Sequence, residues 1–254
     1  MTRVGVSGAA GRMGRLVAET LAYATGFDLT AVYDPNGGDT QVAGMEVSTT
    51  PEVMLDADVV VEFTNPDVVI DNLRTWHTMS RHAVVGTSGF NEERISEVEG
   101  FWREGPGNCL IVPNFSIGAV VMMRLSELAA PHFDAAEVIE MHHDRKADAP
   151  SGTAIATAAR IAAAAGGQTR EVDSKELLVG ARGAVVDEVN VHAVRLPGLV
   201  AHQAVMFGGM GETLTIRHDT TDRQAFMPGV VLAVRKVAEL PIRVSVGLDA
   251  LLGL

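Results

Sequence analysis

The chain has 254 residues, enough for one large domain or two domains of ordinary size. Hydrophobic residues make up 47% of it and charged residues 20%, so the composition predicts a packed core and excludes a disordered chain. The formal net charge of −12 argues against a general surface for nucleic acid or anionic membranes. A single cysteine, Cys109, excludes an internal disulfide framework and a cysteine-based zinc cluster. No apolar run is long enough to span a bilayer and no signal-peptide pattern opens the sequence, so we expect a cytoplasmic location.

A strand, a glycine turn and a helix follow one another in the first residues. The run Arg3 to Ser7 predicts a buried strand, and the alanine, leucine and valine content up to residue 24 predicts a helix. Between them lies Gly-Ala-Ala-Gly-Arg-Met-Gly, residues 8–14, in the context that a dinucleotide-binding turn needs. The next predicted strand, 29–33, ends at Asp34, where a carboxylate can accept hydrogen bonds from an adenosine ribose. Loops and helix starts use glycine freely, but the strand and Asp34 together favour nucleotide binding.

Buried strands then alternate with helices as far as about residue 116. Strands are predicted at 58–63, 82–86 and 110–112, one helix is predicted to begin at Pro66, and Asn91 is placed to cap another. This alternation predicts an open parallel sheet that is covered on both faces. Ligands of such sheets lie beyond the carboxyl ends of the strands. The segments that fall there are Gly86-Thr87-Ser88 and Val112-Pro113-Asn114-Phe115.

The pattern changes after residue 116. A helix at 117–131 is predicted to lead into a strand at 136–141, and three further strands are predicted at 189–196, 201–207 and 212–218. Their β-branched residues and closely spaced turns predict that the last three are antiparallel neighbours. This half of the chain is therefore predicted to be a second domain of the α+β class.

Two domains result from these predictions. The first takes residues 1–116 and 228–254, because a last helix and a short apolar end are expected to return to it. The second takes residues 117–227 and includes a glycine-rich, polar stretch, 166–182, that we expect to be a long loop. Histidines within predicted strands and at helix ends are interpreted as structural. They are His77, His82, His192, His202 and His218.

The densest group of ionisable residues is the stretch 140–154, Glu-Met-His-His-Asp-Arg-Lys-Ala-Asp-Ala-Pro-Ser-Gly-Thr-Ala. The strand before it is predicted to deliver His142 and His143 to its end, and Lys146 follows in the same loop. Ser151 is placed to cap an alanine-rich helix whose first backbone N–H groups suit an anion such as a carboxylate. Each feature alone has an ordinary structural explanation, because histidines end strands, loop lysines are usually solvated and Ser-Gly-Thr helix starts need no ligand. Their coincidence favours a functional site.

Several motifs resemble, in order, those of the dihydrodipicolinate reductases, also called 4-hydroxy-tetrahydrodipicolinate reductases, of the diaminopimelate–lysine pathway. The His-His…Lys…Ser-Gly-Thr motif within 140–154 is highly specific, whereas the glycine turn is not. The resemblance covers nearly the whole chain. Its remaining segments are Gly-Thr-Ser-Gly (86–89), Pro-Asn-Phe-Ser (113–116), Gly-Glu-Thr-Leu-Thr-Ile-Arg-His-Asp (211–219) and Pro-Gly-Val (228–230).

The resemblance implies an α/β fold with a Rossmann-type dinucleotide-binding domain, completed by the C-terminal helix. It implies a second, mixed-sheet α+β domain that binds substrate and builds a homotetramer. The implied reaction is the NAD(P)H-dependent reduction of a cyclic unsaturated dicarboxylate, with loss of water.

The resemblance also implies roles for residues, by position. His142 would be the general acid/base and Lys146 the second catalytic group, and no metal is implied. The substrate would be held by His143, Ser151, Gly152 and Thr153. The cofactor would be held by Gly8, Ala9, Ala10, Gly11, Arg12, Met13, Asp34, Gly86, Thr87, Ser88, Val112, Pro113, Asn114 and Phe115.

Two positions depart from the pattern of the family. Ser88 stands where many relatives carry threonine, which keeps the hydroxyl group. Asp34 is followed by Pro35, where some relatives carry an arginine for the 2′-phosphate of NADPH. We therefore expect both cofactors to be used, with NADH modestly favoured over NADPH.

Three other hypotheses stay open at this point. Another two-domain reductase, acting on an amino acid or a semialdehyde, would share the dinucleotide-binding half without needing the His-His…Lys loop. A non-catalytic nucleotide sensor would bind the dinucleotide and turn nothing over. A metal site at His142 and His143 is disfavoured, because adjacent histidines point opposite ways on a strand and no nearby cysteine or third histidine completes the ligands.

Overall fold

The computed structural model describes residues 1–166 and 174–254. The helices are α1 Arg12–Tyr23, α2 Val69–Thr78, α3 Glu92–Phe101, α4 Ile117–Ala129, α5 Gly152–Ala165, α6 Met227–Lys236 and α7 Asp249–Leu252. The strands are β1 Thr2–Ser7, β2 Phe27–Tyr33, β3 Gln41–Val42, β4 Met45–Glu46, β5 Val59–Glu62, β6 His82–Val85, β7 Cys109–Ile111, β8 Ala135–His142, β9 Ala184–Val186, β10 Val189–Arg195, β11 Ala201–Gly209, β12 Glu212–Thr220 and β13 Val244–Val246.

The chain divides into two compact units. The first contains Met1–Ser116 and Phe226–Leu254, and the second contains Ile117–Ala225. The first predicted domain ended at residue 116 and resumed at residue 228. The first compact unit also ends at residue 116 but resumes at residue 226, two residues earlier than predicted. The roles assigned to the two domains stay predictions.

The first unit is built on a six-stranded parallel sheet with the strand order β13-β7-β6-β5-β1-β2. Its central strands are nearly continuous valine runs, as expected where both faces of a sheet are covered. The open parallel α/β sheet predicted from the sequence is confirmed. Because the strands are parallel, the segments after Ser7, Glu62, Val85 and Ile111 all leave the sheet at its carboxyl edge.

Helix boundaries in this unit follow the capping chemistry. Asn91 caps α3 as predicted, because its side chain accepts a hydrogen bond from the N–H of Arg94. The helix predicted to open at Pro66 begins instead at Val69. The Asn65 side chain accepts a hydrogen bond from the N–H of Asp67 at 3.0 Å, and this local turn occupies the residues before the helix.

Two features of the first unit carry no clear pattern in the sequence. Strand β13 pairs in parallel with β7 and forms the outer edge of the sheet, although only a short apolar end was predicted there. A small antiparallel hairpin, β3 with β4, follows the loop after Asp34. Both elements have only two or three residues per strand, too few to establish a period of two.

The second unit has a five-stranded mixed sheet with the order β12-β11-β8-β10-β9. Strand β8 is central: it pairs in parallel with β10 and antiparallel with β11. The mixed-sheet α+β domain is therefore confirmed, but the prediction that β10, β11 and β12 are antiparallel neighbours is wrong for the first pair. Strand β8, which precedes both in the sequence, lies between β10 and β11. The connection from β10 to β11 through Pro197 and Gly198 therefore passes the end of β8.

Helix α5 covers one face of this mixed sheet. Its residues Ala154, Ala158 and Ile161 pack in one buried cluster with Val138 of β8 and Val205 of β11. Residues 174–182, part of the predicted long loop, contain no regular helix or strand, and residues 167–173 of that prediction lie outside the described residues. Within 1–166 and 174–254, no helix is long and apolar enough to cross a membrane.

Candidate active site

The glycine turn between β1 and α1 forms a tight backbone cradle in the first unit. Gly8 has a φ of +78°, and a Cβ added there would overlap the carbonyl group of Phe63. A Cβ added at Gly14 would overlap the carbonyl group of Gly8, so the helix packs directly against the turn. Alanine is excluded at both positions for steric reasons, which is the requirement that a pyrophosphate-binding turn imposes.

The first turn of α1 suits an anion. The N-cap residue Gly11 makes no side-chain capping bond, and no acidic residue lies in the first turn. Arg12 is exposed and Met13 is half-buried at the same helix end. Backbone N–H groups and a cation at a helix start favour a phosphate. The residues present therefore fit the pyrophosphate of a dinucleotide.

Asp34 lies against the glycine turn. Its Oδ2 atom accepts a hydrogen bond from the N–H of Ala10 at 3.3 Å, and its Oδ1 atom accepts one from the N–H of Asn36 at 3.0 Å. The N–H groups of Gly8 and Ala9 both donate to the carbonyl of Tyr33, at 2.9 and 3.0 Å. The carboxylate is thus fixed beside the turn, as a contact with the adenosine ribose requires.

The other two predicted cofactor segments follow β6 and β7. Thr87 is buried: its hydroxyl accepts from the N–H of Thr64 at 2.9 Å and donates to the carbonyl of Glu62 at 3.3 Å. Its side chain therefore joins the segment after β6 to the end of β5 and the residues that follow it. Ser88 and Pro113 are exposed, Gly86 and Asn114 are half-buried, and Val112 and Phe115 are buried. Only part of each segment is accessible to a ligand.

In the second unit, His142 is the last residue of β8, and the register places it between Arg195 of β10 and Ala201 of β11. Its Nδ1 atom makes a very short hydrogen bond with Oε2 of Glu140, two residues earlier on the strand. Burial lowers the pKa of His142, the Glu140 carboxylate raises it, and the charges of Lys146 and Arg195 lower it, with a net decrease. A histidine titrating in this way suits proton transfer.

Glu140 is the centre of the polar network in this unit. The side chain is fully buried. Arg195 binds it with two parallel bonds, from Nη1 to Oε2 at 2.9 Å and from Nη2 to Oε1 at 2.8 Å. The N–H of Ser151 donates to Oε1 at 3.0 Å. Burial raises the pKa of Glu140, but the hydrogen bonds from Arg195 and His142 outweigh that effect and hold it below its usual value.

Lys146 lies in the loop after β8 and is bound to Asp148. Its Nζ atom donates to both carboxylate oxygens of Asp148, at 2.7 and 2.8 Å. Arg195 Nη2 donates to the carbonyl oxygen of Asp148 at 2.6 Å, so the loop is also tied to the Glu140 network. The predicted catalytic ammonium is therefore near His142, but it is paired with an exposed carboxylate that a substrate would have to replace.

The helix start at 151–153 is only partly available to a ligand. Ser151 is buried, and its hydroxyl accepts from the N–H of Ala154 at 3.2 Å while its own N–H donates to Glu140. Gly152 is exposed, and a Cβ added there would meet nothing within 4 Å.

Next to His142, His143 has a buried Nδ1 atom without a hydrogen-bond partner among the described residues. Such an atom is suited to a polar ligand.

Glu140 and Arg195 were missed as functional candidates in the sequence. The detectable signal was a glutamate at an inward-facing position of an apolar strand, since Val138 and Glu140 alternate with outward-facing neighbours. A buried carboxylate requires a partner. The partner could not be identified, because Arg195 lies 55 residues away on a strand whose register was unknown. Within the described part of the chain, no group of three or more histidine, cysteine or acidic residues could hold a metal ion.

Comparisons with known proteins cover both units. A family model described as "Dihydrodipicolinate reductase, N-terminus" matches residues 2–115, and one described as "Dihydrodipicolinate reductase, C-terminus" matches residues 118–252. A 4-hydroxy-tetrahydrodipicolinate reductase of Thermobifida fusca (strain YX) is 52% identical over 259 residues, which covers 100% of both chains. One of Mycobacterium marinum is 49% identical over 254 residues, covering 99% of each chain.

A solved structure agrees with these matches. The dipicolinate-bound dihydrodipicolinate reductase from Paenisporosarcina sp. TG-14 is 36% identical to this chain and superimposes with a TM-score of 0.85. The match covers 98% of this chain and 99% of the other. The resemblance inferred from the motifs is thereby confirmed, and the chain belongs to the dihydrodipicolinate reductase family.

Proposed function

We propose that the chain catalyses the NAD(P)H-dependent reduction of 4-hydroxy-tetrahydrodipicolinate to tetrahydrodipicolinate, with loss of water. The names of its full-length relatives support an oxidoreductase of this kind. The observation that carries the proposal is the His142–Glu140 pair at the end of β8, next to the start of α5. As a proton donor, His142 would lie beside backbone groups that can bind a carboxylate.

His142 is proposed to be the general acid. The substrate loses its hydroxyl group together with a hydrogen of the neighbouring carbon as water, which leaves a conjugated C=C–C=N system, and each turnover adds one hydride and one proton to that system. Hydride addition to a conjugated C=C–C=N system builds negative charge, which a proton must neutralise. Because Nδ1 of His142 is bonded to Glu140, Nε2 is the ring nitrogen left to transfer the proton.

Lys146, His143 and the helix start are proposed to bind the two substrate carboxylates. Lys146, the second catalytic group, would exchange its bond to Asp148 for one to a carboxylate, which keeps the ammonium paired throughout. The buried Nδ1 atom of His143, which has no hydrogen-bond partner in residues 1–166 and 174–254, supports a direct contact with substrate. Gly152 and Thr153 are proposed to offer backbone and hydroxyl groups, with Ser151 fixing the helix start.

The first unit is proposed to be the dinucleotide-binding domain, and bound NAD(P)H supplies the hydride. The glycine turn 8–13 would hold the pyrophosphate and Asp34 the adenosine ribose. The accessible parts of 86–88 and 112–115 would complete the site. Because Asp34 is an acid and Pro35 adds no cation, we propose that NADH is modestly preferred.

The second unit is proposed to bind substrate and to form a homotetramer. Helix α5 packs against one face of the mixed sheet. The other face carries apolar side chains that are not fully buried in the single chain, as an interface between copies requires. These are Ile139, Met141, Val194 and Met206. Light scattering on the purified protein tests the tetramer. The cytoplasmic location and the absence of nucleic-acid and membrane partners stay predictions from the sequence.

The purified protein coupled to a dihydrodipicolinate synthase reaction tests the activity. We expect NADH absorbance to fall only when the synthase and both of its substrates are present. Binding of NADH without turnover would favour a nucleotide sensor. Turnover with an amino acid or a semialdehyde, but not with the synthase product, would favour another reductase.

A further inference from the structure

Glu140 is a carboxylate in a position that ordinarily holds an apolar residue. It shares the inward face of β8 with Val138, and its side chain is fully buried. A charge at such a position is costly unless charged and polar groups bind it. Among the described residues, four groups donate hydrogen bonds to it, and all of them lie in or next to the region that the proposed reaction uses. They are Nη1 and Nη2 of Arg195, the N–H of Ser151 and Nδ1 of His142.

The two bonds from Arg195 establish the charge of the carboxylate. They are parallel and nearly equal, 2.9 and 2.8 Å, which is the geometry of a guanidinium with an ionised carboxylate. An ionised carboxylate can only accept hydrogen bonds. The Nδ1 atom of His142, which is bonded to Glu140, must therefore carry a hydrogen. Of the two ring nitrogens, only Nε2 is left to gain and lose a proton.

The same pair also joins the other parts of the site. Glu140 holds the start of α5 through the N–H of Ser151, at 3.0 Å. Arg195 holds the loop through the carbonyl of Asp148, at 2.6 Å, and Asp148 binds Lys146. The imidazole, the ammonium and the helix start are thus connected through two side chains that lie on neighbouring strands. A shift of either side chain would alter their spacing, to which catalytic rates are sensitive.

We propose that Glu140, kept ionised by Arg195, is a positioning residue that holds His142 with its proton on Nδ1 and presents Nε2 as the proton donor. This inference rests on the proposed function, since it assigns a purpose to the orientation of His142. Glu140 also stabilises the imidazolium form, because its negative charge acts on a ring that the positive charges of Lys146 and Arg195 repel.

Glu140→Gln is the first test. The introduced amide would keep its oxygen at the Oε1 position, which accepts from Nη2 of Arg195 and from the N–H of Ser151. Its NH₂ group would then take the Oε2 position, facing Nη1 of Arg195 and Nδ1 of His142, and would force the proton onto Nε2 in the neutral ring. We expect kcat to fall about 10²-fold or more, in the range that a lost proton donor costs, with KM for substrate changed far less. NADH affinity, measured by fluorescence titration, should be unchanged.

The pH profile separates positioning from a merely structural role. The protonated form of His142 is the active acid, so kcat/KM falls as the pH rises through its pKa. Within the described residues, the charged groups acting on His142 are Glu140, which raises its pKa, and Lys146 and Arg195, which lower it. Removing the Glu140 charge leaves the lowering effects, so the falling limb should move to lower pH. Glu140→Asp keeps the negative charge, so its falling limb should lie closer to that of the wild type than the falling limb of Glu140→Gln does.

Glu137→Gln is a matched control. Glu137 lies on the same strand and also binds an arginine and a histidine, with Arg182 Nη2 at 2.5 Å and His192 Nε2 at 2.8 Å. It faces the opposite side of the sheet. The control loses a similar ion pair and should keep kcat and its pH profile, provided that light scattering shows an unchanged oligomer. Equal effects of the two variants would overturn the proposal.

The tautomer can be observed directly in the wild-type protein, so the proposal remains testable if Glu140→Gln does not fold. With ¹⁵N-labelled histidine, and His142 assigned from the signal missing in His142→Asn, we expect the neutral ring to carry its hydrogen on Nδ1. A hydrogen on Nε2 would overturn the proposal, whether or not the protein is active. Wild-type protein that shows the Nδ1 tautomer but no turnover would contradict the proposed function instead. Active wild type together with a Glu140→Gln variant of normal kcat and pH profile would contradict the positioning role.

Discussion

Replacing Asp34 with alanine tests whether one carboxylate sets the cofactor preference. Asp34 is held against the glycine turn by the N–H of Ala10, 3.3 Å from Oδ2. With NADH, its oxygens are placed to accept hydrogen bonds from both ribose hydroxyls. With NADPH, the carboxylate would meet a 2′-phosphate of the same sign, and Pro35 contributes neither a donor nor a positive charge.

The magnitude follows from Coulomb's law and its screening. Two like charges about 4 Å apart repel by up to about 4 kcal/mol at an effective dielectric constant of about 20. Solvent ions, small movements and the guanidinium groups of Arg12 and Arg15 should leave about 1 kcal/mol of this. Arg15 donates to the carbonyl of Gln41 at 3.2 Å, whereas Arg12 is exposed. A difference of about 1 kcal/mol corresponds to about a fivefold ratio, because about 1.4 kcal/mol is tenfold.

The assay measures kcat/KM for NADH and for NADPH at a fixed substrate concentration, for the wild type and for Asp34→Ala. We expect a wild-type preference of about fivefold for NADH and a shift toward NADPH in the variant. Asp28→Ala is the control, because Asp28 is an exposed acid near the opposite end of the same strand and should leave the ratio unchanged. A wild-type preference for NADPH of about tenfold or more would refute the reasoning and would indicate Arg12 or Arg15 as the 2′-phosphate contact.

Three further changes have defined outcomes. His142→Ala should lower kcat about 10²-fold to 10⁴-fold, because the proton donor is lost, while NADH affinity measured by fluorescence stays the same. Lys146→Ala should raise KM for substrate and lower kcat, and Thr153→Val should weaken substrate binding more mildly because the backbone donors remain. The difference in the midpoint of thermal unfolding between Glu62→Gln and the wild type should shift in favour of the variant as the pH rises from mildly acidic to neutral. Burial raises the pKa of Glu62 despite its hydrogen bonds to neighbouring side chains, so its stabilising contribution is present at low pH and is lost as the pH rises through the folded-state pKa.

Each of these predictions can fail clearly. If His142→Ala kept half of the wild-type kcat, His142 would not be the acid. If Lys146→Ala lost as much affinity for NADH as for substrate, the loop that contains Lys146 would belong to the cofactor site. A difference in unfolding midpoint between Glu62→Gln and the wild type that did not change with pH, or that moved against the variant as the pH rose, would contradict the raised pKa of Glu62.

The glycine turn, the parallel sheet and the cap at Asn91 were predictable because their causes are local. Gly8 has a positive φ and Gly14 packs against the turn, and both requirements are visible as glycines at fixed spacing. The Asn91 cap needs only a side chain and an N–H three residues later. Valine runs such as β5 indicate burial on both faces without knowledge of the neighbouring strands.

The network around Glu140 was not predictable in the same way, because its contacts join residues far apart in the chain. Arg195 meets Glu140 only because β10 lies beside β8 in one particular register. The sequence predicted β10 and β11 as neighbours, and that arrangement would have placed Arg195 elsewhere. The pairing of Lys146 with Asp148 is local, but a solvated lysine and a paired one have the same sequence pattern.

The most direct test of the proposed reaction is its stoichiometry in a single turnover. Wild-type protein and NADH would be mixed with limiting, freshly generated 4-hydroxy-tetrahydrodipicolinate, and the product would be identified by mass spectrometry. The proposal predicts that one NADH is oxidised for each tetrahydrodipicolinate formed, whose mass corresponds to the substrate with one hydride and one proton added and one water lost. Recovery of the substrate, or of its dehydrated but unreduced form, with the NADH intact would contradict it.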